Sequence, residues 1–349
     1  MSQPLTPWAH RSTLPDFTRI YRGESAWWWR PFIGSFSRLY GLGVSMRLGA
    51  YRSGLLKKKT LDGFVLSVGN LTAGGTGKTP AVMMLGKWAE AEGYRVAVLS
   101  RGYGGCYKEK VLALSDGHGP RVDSRVSGDE PVLLARNLDG VPVVLSHKRY
   151  LAGVYARQRF GSDFFILDDG FQHVALKRDL DVVLMDAGDP FGNGRLLPLG
   201  PLREPMGHLA RAHVFIVTRW KESAGAGPQI DMVRNRFPST PVFFADHRPE
   251  KVVFPNTGTT YDPEYIRGKR IVAFAGIARP DVFHRTLMEM GAEVVYFEGY
   301  GDHHPFTIGE IAGLDDKKRQ MGADCLLTTE KDWWRLGMQA DQWEGARGE

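Results

Sequence analysis

Cysteine is nearly absent: the 349 residues include only Cys106 and Cys325, far apart in the chain. Two lone thiols exclude a disulfide scaffold and a zinc cluster, and they fit a reducing compartment such as the cytoplasm. The chain also lacks any run of about 18 consecutive apolar residues, so it offers no spanning helix. It shows no internal repeat and no low-complexity tract. Acidic residues are missing throughout Trp27 to Lys59, where Arg30, Arg38, Arg47, Arg52, Lys57, Lys58 and Lys59 go unopposed. Much of the overall excess of 45 Lys and Arg over 39 Asp and Glu collects there.

What fills that stretch is aromatic and aliphatic. Trp27 and Trp28 lead into Trp29, Phe32, Ile33, Phe36 and Tyr40, which recur at helical spacing, and Pro31 is compatible with a helix only in its first turn. A basic helix of this kind suits an anionic membrane surface, with apolar groups at the acyl boundary and Arg and Lys at the head groups. The plainer alternative is a helix packed on the protein core, and the two readings are compatible. Interrupting arginines and the lack of a small-residue cleavage site argue against a standard signal peptide. No nucleic-acid module appears, so nucleic acid is not an expected partner, nor does any feature call for an obligate protein partner.

Residues 1–24, with Pro4, Pro7 and Pro15, read as a poorly ordered lead. Beyond the basic stretch, β-rich runs at Phe64–Val68, Val96–Ser100, Val143–Leu145, Phe164–Leu167, Val182–Met185 and Val214–Thr218 alternate with helical stretches. This predicts an α/β fold, a parallel sheet with helices on both faces. Gly, Pro, Ser and Thr become frequent between Lys221 and Lys269, where Val242–Ala245 and Val252–Phe254 read as isolated strands in a hinge. A second, smaller α/β lobe follows, with strands at Ile271–Ala275, Val294–Phe297 and Leu326–Thr328. The expected divisions are 1–56, 57–225 and 226–349.

The segment Thr72-Ala73-Gly74-Gly75-Thr76-Gly77-Lys78-Thr79, between the first strand and a helical stretch from Ala81, reads as a phosphate-binding loop. Its glycines let successive N–H groups face an anion, Lys78 adds positive charge at the β and γ phosphates, and Thr79 offers a hydroxyl to Mg²⁺. The first position is Thr72 where the usual motif has glycine. Asp168-Asp169, after the run Phe164–Leu167, stands where a Mg²⁺-binding carboxylate of a nucleotide-hydrolysing fold stands, although a strand-end Asp also caps helices. Asp129-Glu130 precedes a helix, a place that favours acids for structural reasons alone. His303-His304 follows the strand Val294–Phe297. Arg101–Gly105 and the loop Gly192–Pro205, which carries Arg195 and Arg203, are candidates for anion contact.

Together these segments resemble the tetraacyldisaccharide 4′-kinases, the lipid A 4′-kinases. The resemblance runs through Gly69–Pro80, Ser100–Tyr103, Gly128–Pro131, Leu167–His173, Phe191–Gly194, Gly200–Pro205, Asp302-His303 and Thr328–Asp332, within roughly residues 25 to 336. It makes the missing first glycine a family trait. It implies transfer of the γ-phosphoryl group of ATP, with Mg²⁺, to the 4′-hydroxyl of a tetraacylated disaccharide 1-phosphate, forming lipid IVA. Gram-negative origin and work at the cytoplasmic face of the inner membrane are implied with it. By resemblance Asp129 and His303 form the catalytic dyad, and Thr79, Glu130 and Asp168 surround the metal. Lys78 and Arg203 are expected to offset charge on the phosphoryl group. A dyad drawn from two lobes implies closure during turnover. The alternative reading is a P-loop regulatory NTPase that acts on a protein partner at a membrane.

Overall fold

The structure is a computed structural model that describes residues 30–221, 227–255 and 257–336. The lead 1–24 and Trp27, Trp28 and Trp29 lie outside the described residues. Two compact units divide the chain between His247 and Arg248.

The first unit is built on an eight-stranded sheet. Its strands are β1 (Phe64–Asn70), β2 (Val96–Ser100), β3 (Leu112–Asp116), β4 (Pro142–Leu145), β5 (Phe164–Asp168), β6 (Leu180–Asp186), β7 (Val214–Thr218) and β8 (Val242–Ala245), in the order β3-β4-β2-β5-β1-β6-β7-β8. Every pairing is parallel except that of β3 with β4. The apolar runs are strands because helices cover both faces, so alternate residues of each strand enter different cores. Val65, Ala97, Leu99, Phe165 and Leu167 pack together in one cluster, and Val183, Met185, Phe215 and Val217 in another. The crossover helices include α2 (Lys78–Ala91), α3 (Ser124–Ser127), α4 (Asp129–Asn137), α5 (Arg149–Phe160) and α6 (Pro228–Arg236), numbered after the first described helix, α1 (Arg30–Arg52).

Strand β1 lies between β5 and β6, where the sheet's order reverses. Ligands in doubly wound sheets bind beyond the carboxyl ends at such a reversal. In register, Val68 is opposite Asp168, so the residues that leave β1 meet those that leave β5. The antiparallel edge strand β3 has no counterpart among the expected strands. Strand β8 is not isolated: Phe215 to Thr218 pair with Val242 to Ala245. Phe243 and Phe244, on opposite faces of this edge strand, remain exposed, and this hides the buried pattern that marks the inner strands.

Helix α1 reverses the usual arrangement of large residues inside and small ones outside. Gly34, Ser37, Gly41 and Leu48 face the loop that carries Leu196 and Leu199 or are buried, and Ser37 Oγ donates to Leu196 O over 2.8 Å. Phe32, Phe36, Leu39 and Met46, on the opposite side about 175° around the helix, are 64–66% exposed. One face of the helix therefore packs on the protein, as the plainer reading expects, and the other carries an exposed apolar stripe. Among the described residues, no helix is long and apolar enough to cross a membrane.

The second unit holds the parallel sheet β12-β11-β13, of β11 (Arg270–Ala275), β12 (Glu293–Gly299) and β13 (Cys325–Leu327), and the antiparallel hairpin of β9 (Val252–Phe254) and β10 (Thr259–Tyr261). Helices α7 (Pro280–Glu289), α8 (Ile308–Gln320) and α9 (Glu330–Leu336) accompany the sheet. The α8 N-terminus is fixed by a reciprocal capping box between Thr307 and Glu310.

Candidate active site

The glycine-rich loop leaves β1 at Asn70 and enters α2 at Lys78. Gly77, the residue before the helix, has φ 84°, a left-handed conformation suited to glycine, and no side chain caps the helix. The first N–H groups of α2 are thus left for an anion. Ala73 N donates to Pro201 O at 2.7 Å, and Asn70 Nδ2 to Thr72 O at 2.8 Å. Gly69 permits a second close approach, because a Cβ there would stand 2.6 Å from the Cβ of Phe171. The Asp168–Phe171 segment therefore lies directly against the end of β1.

That approach assembles a charged cluster. Lys78 Nζ donates to Asn70 Oδ1 at 3.1 Å and lies 3.6 Å from Asp169 Oδ1. Arg203 grips Asp169 with a two-pronged pair at 2.8 and 2.9 Å, and its Nη2 also donates to the backbone oxygen and side chain of Asn70. Burial disfavours charge on Asp169, but Arg203 and then Lys78 outweigh it and hold the carboxyl well below the usual carboxylate range. Arg203 is thus engaged with Asp169 and Asn70. Its neighbour Glu204 is buried and accepts from Arg211 at 2.8 Å.

Asp168 is treated in the opposite way. It is buried at the end of β5, and Ser100 Oγ, from the end of β2, donates to its Oδ2 at 2.8 Å. Its other oxygen, Oδ1, has no hydrogen-bond partner. Burial first, then the carboxylates of Glu130 and Asp169, push its carboxyl up to about 6. Glu130 is therefore a near neighbour. Asp129 and Glu130 form the first turn of α4, both half-buried, after Gly128 with φ 87°. The run Arg101–Gly105 joins them there: Cys106 N and Tyr107 N, just past it, donate to Arg125 O and Val126 O.

Among the described residues, no three His, Cys, Asp or Glu side chains group as a metal cage. Mg²⁺ needs no cage, because it keeps several waters and takes few protein oxygens beside substrate phosphates. The orphaned, buried Oδ1 of Asp168 and the hydroxyl of Thr79, in the first turn of α2, are hard oxygen donors that fit it.

Arg149 escapes sequence reasoning. It is 4% exposed, its Nη2 lies 3.5 Å from Asp168 O, and burial lowers its affinity for a proton while Asp168 and Asp169 offset that effect. The available signal was its position as the first residue of α5, where a cation opposes the helix dipole.

The histidines belong to the second unit. His303 has φ 59°, and its ring Nε2 is 3.7 Å from Asp302 Oδ2, whose other oxygen lies 3.9 Å from Lys331 Nζ. His304 instead lies 3.0 Å from Glu310 Oε1 through Nε2 and stacks on Tyr300, with ring centroids 4.6 Å apart. Asp332 is fully buried and accepts from Gly276 N, Thr329 Oγ1 and Arg335 Nη1 at 2.7–3.0 Å.

Comparison with known proteins places this geometry in a family. Residues 29–345 match the family described as "LpxK: Tetraacyldisaccharide-1-P 4'-kinase". The tetraacyldisaccharide 4′-kinase of Syntrophus aciditrophicus (strain SB) is 43% identical over 309 residues, covering 86% of this chain and 83% of that protein. The tetraacyldisaccharide 4′-kinase of Geobacter metallireducens is 43% identical over 298 residues, covering 85% and 86% respectively. Among solved structures, "apo" form LpxK from Aquifex aeolicus in complex with ATP aligns with a TM-score of 0.70 at 33% identity, covering 88% of this chain and 90% of that one.

Proposed function

The chain belongs to the tetraacyldisaccharide-1-P 4′-kinase family, and from that premise we propose how its residues divide the work. It is a phosphotransferase of lipid A biosynthesis that moves the γ-phosphoryl group of ATP to the 4′-hydroxyl of tetraacyldisaccharide 1-phosphate. The loop Thr72–Thr79 receives the triphosphate, with the open amino end of α2 and Lys78 opposite its charge. Thr79, Glu130 and Asp168 would hold Mg²⁺, which when bound would supply positive charge to offset that of the phosphates. The observation that carries this assignment is the buried, unpartnered Asp168 Oδ1 beside Glu130.

Asp129 accepts the proton of the sugar hydroxyl as its oxygen bonds to the γ-phosphorus, while the bond from that phosphorus to the β–γ bridging oxygen breaks and ADP departs. His303, which lies beside Asp302, is assigned to the same proton transfer during turnover. His304 is engaged by Glu310 and Tyr300. Arg203 acts through Asp169, which it holds charged next to Lys78. The exposed stripe of α1, with Arg38, Arg47 and Arg52 on the same helix, supports docking at an anionic inner-membrane surface, where a four-chained acceptor resides.

The test is transfer of label from γ-labelled ATP to the detergent-dispersed disaccharide acceptor. Label should appear in the lipid with wild-type protein and be lost in Asp129→Ala while ATP binding persists. ATP hydrolysis that ignores the acceptor would instead support the regulatory-NTPase reading, which family membership does not favour.

A further inference from the structure

A loop that turns its N–H groups onto a phosphate must turn carbonyls elsewhere, and those carbonyls need partners. Two of them are met by consecutive residues at the end of β7. Thr218 Oγ1 donates to Thr76 O at 3.0 Å, and Arg219 Nη2 donates to Gly75 O at 2.6 Å. Arg219 also donates through Nε to Asp186 Oδ2 at 3.1 Å, and its Nη2 pairs with the same oxygen. Asp186 ends β6, and its Oδ1 accepts from Gly188 N at 3.0 Å. The pair is enclosed, the two side chains being 12% and 10% exposed. Arg219 holds φ 56°, a conformation rare for residues other than Gly, Asn and Asp, which persists where surrounding contacts over-determine it. A Cβ at Gly77 would stand 3.6 Å from Thr218 Cγ2 and 3.7 Å from the His247 ring.

We infer that Arg219 is a positioning residue of the nucleotide site: with Asp186 as its anchor, it holds the glycine-rich loop in its phosphate-binding shape through the Gly75 carbonyl. Its charge is matched by Asp186, and Nη2, which pairs with that carboxylate, also donates to a loop carbonyl, so it acts through the loop and not on the phosphate. Gly74, Gly75 and Gly77 give that loop more freedom than most segments, and freedom removed before binding is not lost on binding. The inference rests on the ATP reading and deepens it.

The experiment uses the full chain with Arg219→Ala, Arg219→Lys and Asp186→Asn. One charge-assisted hydrogen bond corresponds to about a tenfold change in affinity. In Arg219→Ala, the dissociation constants of ADP and of a non-hydrolysable ATP analogue should both rise about tenfold, and the KM for ATP with them. The kcat and the KM for acceptor should stay within about twofold of wild type. Asp186→Asn, which removes the anchor's charge, should move the same constants in the same direction, and Arg219→Lys should recover part of the loss. Weakening of the ATP analogue alone, with ADP unaffected, would assign Arg219 to the γ-phosphate and overturn the inference. So would unchanged nucleotide affinity, or a fall in the nucleotide-free unfolding temperature with a parallel rise in the acceptor KM. If wild-type protein itself bound no ATP, the nucleotide reading would fall first.

Discussion

Replacing Phe36, Leu39 and Met46 together by serine tests whether the outer face of α1 is a membrane dock or a core surface. These side chains are 65%, 64% and 66% exposed, so most of their apolar area is still open to burial. Full burial of such a side chain is worth about 1.5–3 kcal/mol, so the open two thirds leave about 1–2 kcal/mol each. An interfacial position captures part of this, or about 2–3 kcal/mol for the three, a loss near a hundredfold in vesicle partitioning. Arg38, Arg47 and Arg52 should retain residual attraction to anionic lipid that fades with salt. The assay is cosedimentation with vesicles containing anionic phospholipid at low and high salt, run beside thermal unfolding and the KM for ATP. Each substitution at an exposed site should cost no more than about 0.5 kcal/mol of stability, with ATP handling unchanged. Undiminished vesicle binding would refute the argument, as would a stability loss of about 2–5 kcal/mol per residue, the mark of a buried core.

His303→Ala should lower turnover strongly with little change in unfolding, whereas His304→Ala should reduce stability through its lost contacts with Glu310 and Tyr300 and leave residual turnover; kcat and melting curves separate the two. Asp332→Ala removes a fully buried carboxylate bound by Gly276, Thr329 and Arg335, and should destabilise the second unit by about 3–5 kcal/mol in denaturant unfolding. Burial, then Arg149 and Arg178, lower His173 from 6.5 to about 4. The unfolded chain therefore takes up a proton below pH 6.5 that the fold refuses until about pH 4. Stability present above that window is lost as pH falls through it, by at most about 3 kcal/mol, and His173→Gln should flatten this slope in unfolding measured between pH 7 and 4.

The strands at Val96–Ser100 and Val214–Thr218 were legible because they are short runs of apolar, partly β-branched residues, the first buried throughout and the second buried on one face and half-buried on the other. Strand β3, Leu112–Asp116, was not, since an edge strand needs only one buried side and its residues Leu-Ala-Leu-Ser-Asp carry no β-branched signal. Strand β8 could be seen as a strand but not as part of the sheet, because its partner comes from pairing and not from local pattern. Within the site, the glycine loop and Asp168 announced themselves by position after a strand. Arg149 and Arg219 did not, because a basic residue at a helix start or a strand end is common on any surface. What distinguishes them is enclosure and a specific carbonyl or carboxylate partner, which only tertiary structure supplies.

The adjacent acids Asp168 and Asp169 show how one turn supplies two different groups. Both leave β5 beside the phosphate loop, yet their surroundings drive their proton affinities apart, which is how a fold assigns roles to like residues. Asp169 turns toward Arg203 and Lys78, and its carboxylate is a fixed counter-charge that orients both cations. Asp168 turns into the sheet, where Ser100 satisfies one oxygen and burial beside Glu130 leaves the other without a partner. A buried oxygen left in that state is destabilising until a cation arrives. On the proposed assignment of Asp168 to Mg²⁺, the same feature that costs stability in the free protein would become a source of affinity for that ion. Asp169 cannot serve this purpose, because its charge is already matched. The left-handed φ of 49° at Asp169 is the backbone turn that accompanies this separation of duties, and Gly170 follows it where a Cβ would stand 2.6 Å from Leu167 Cβ.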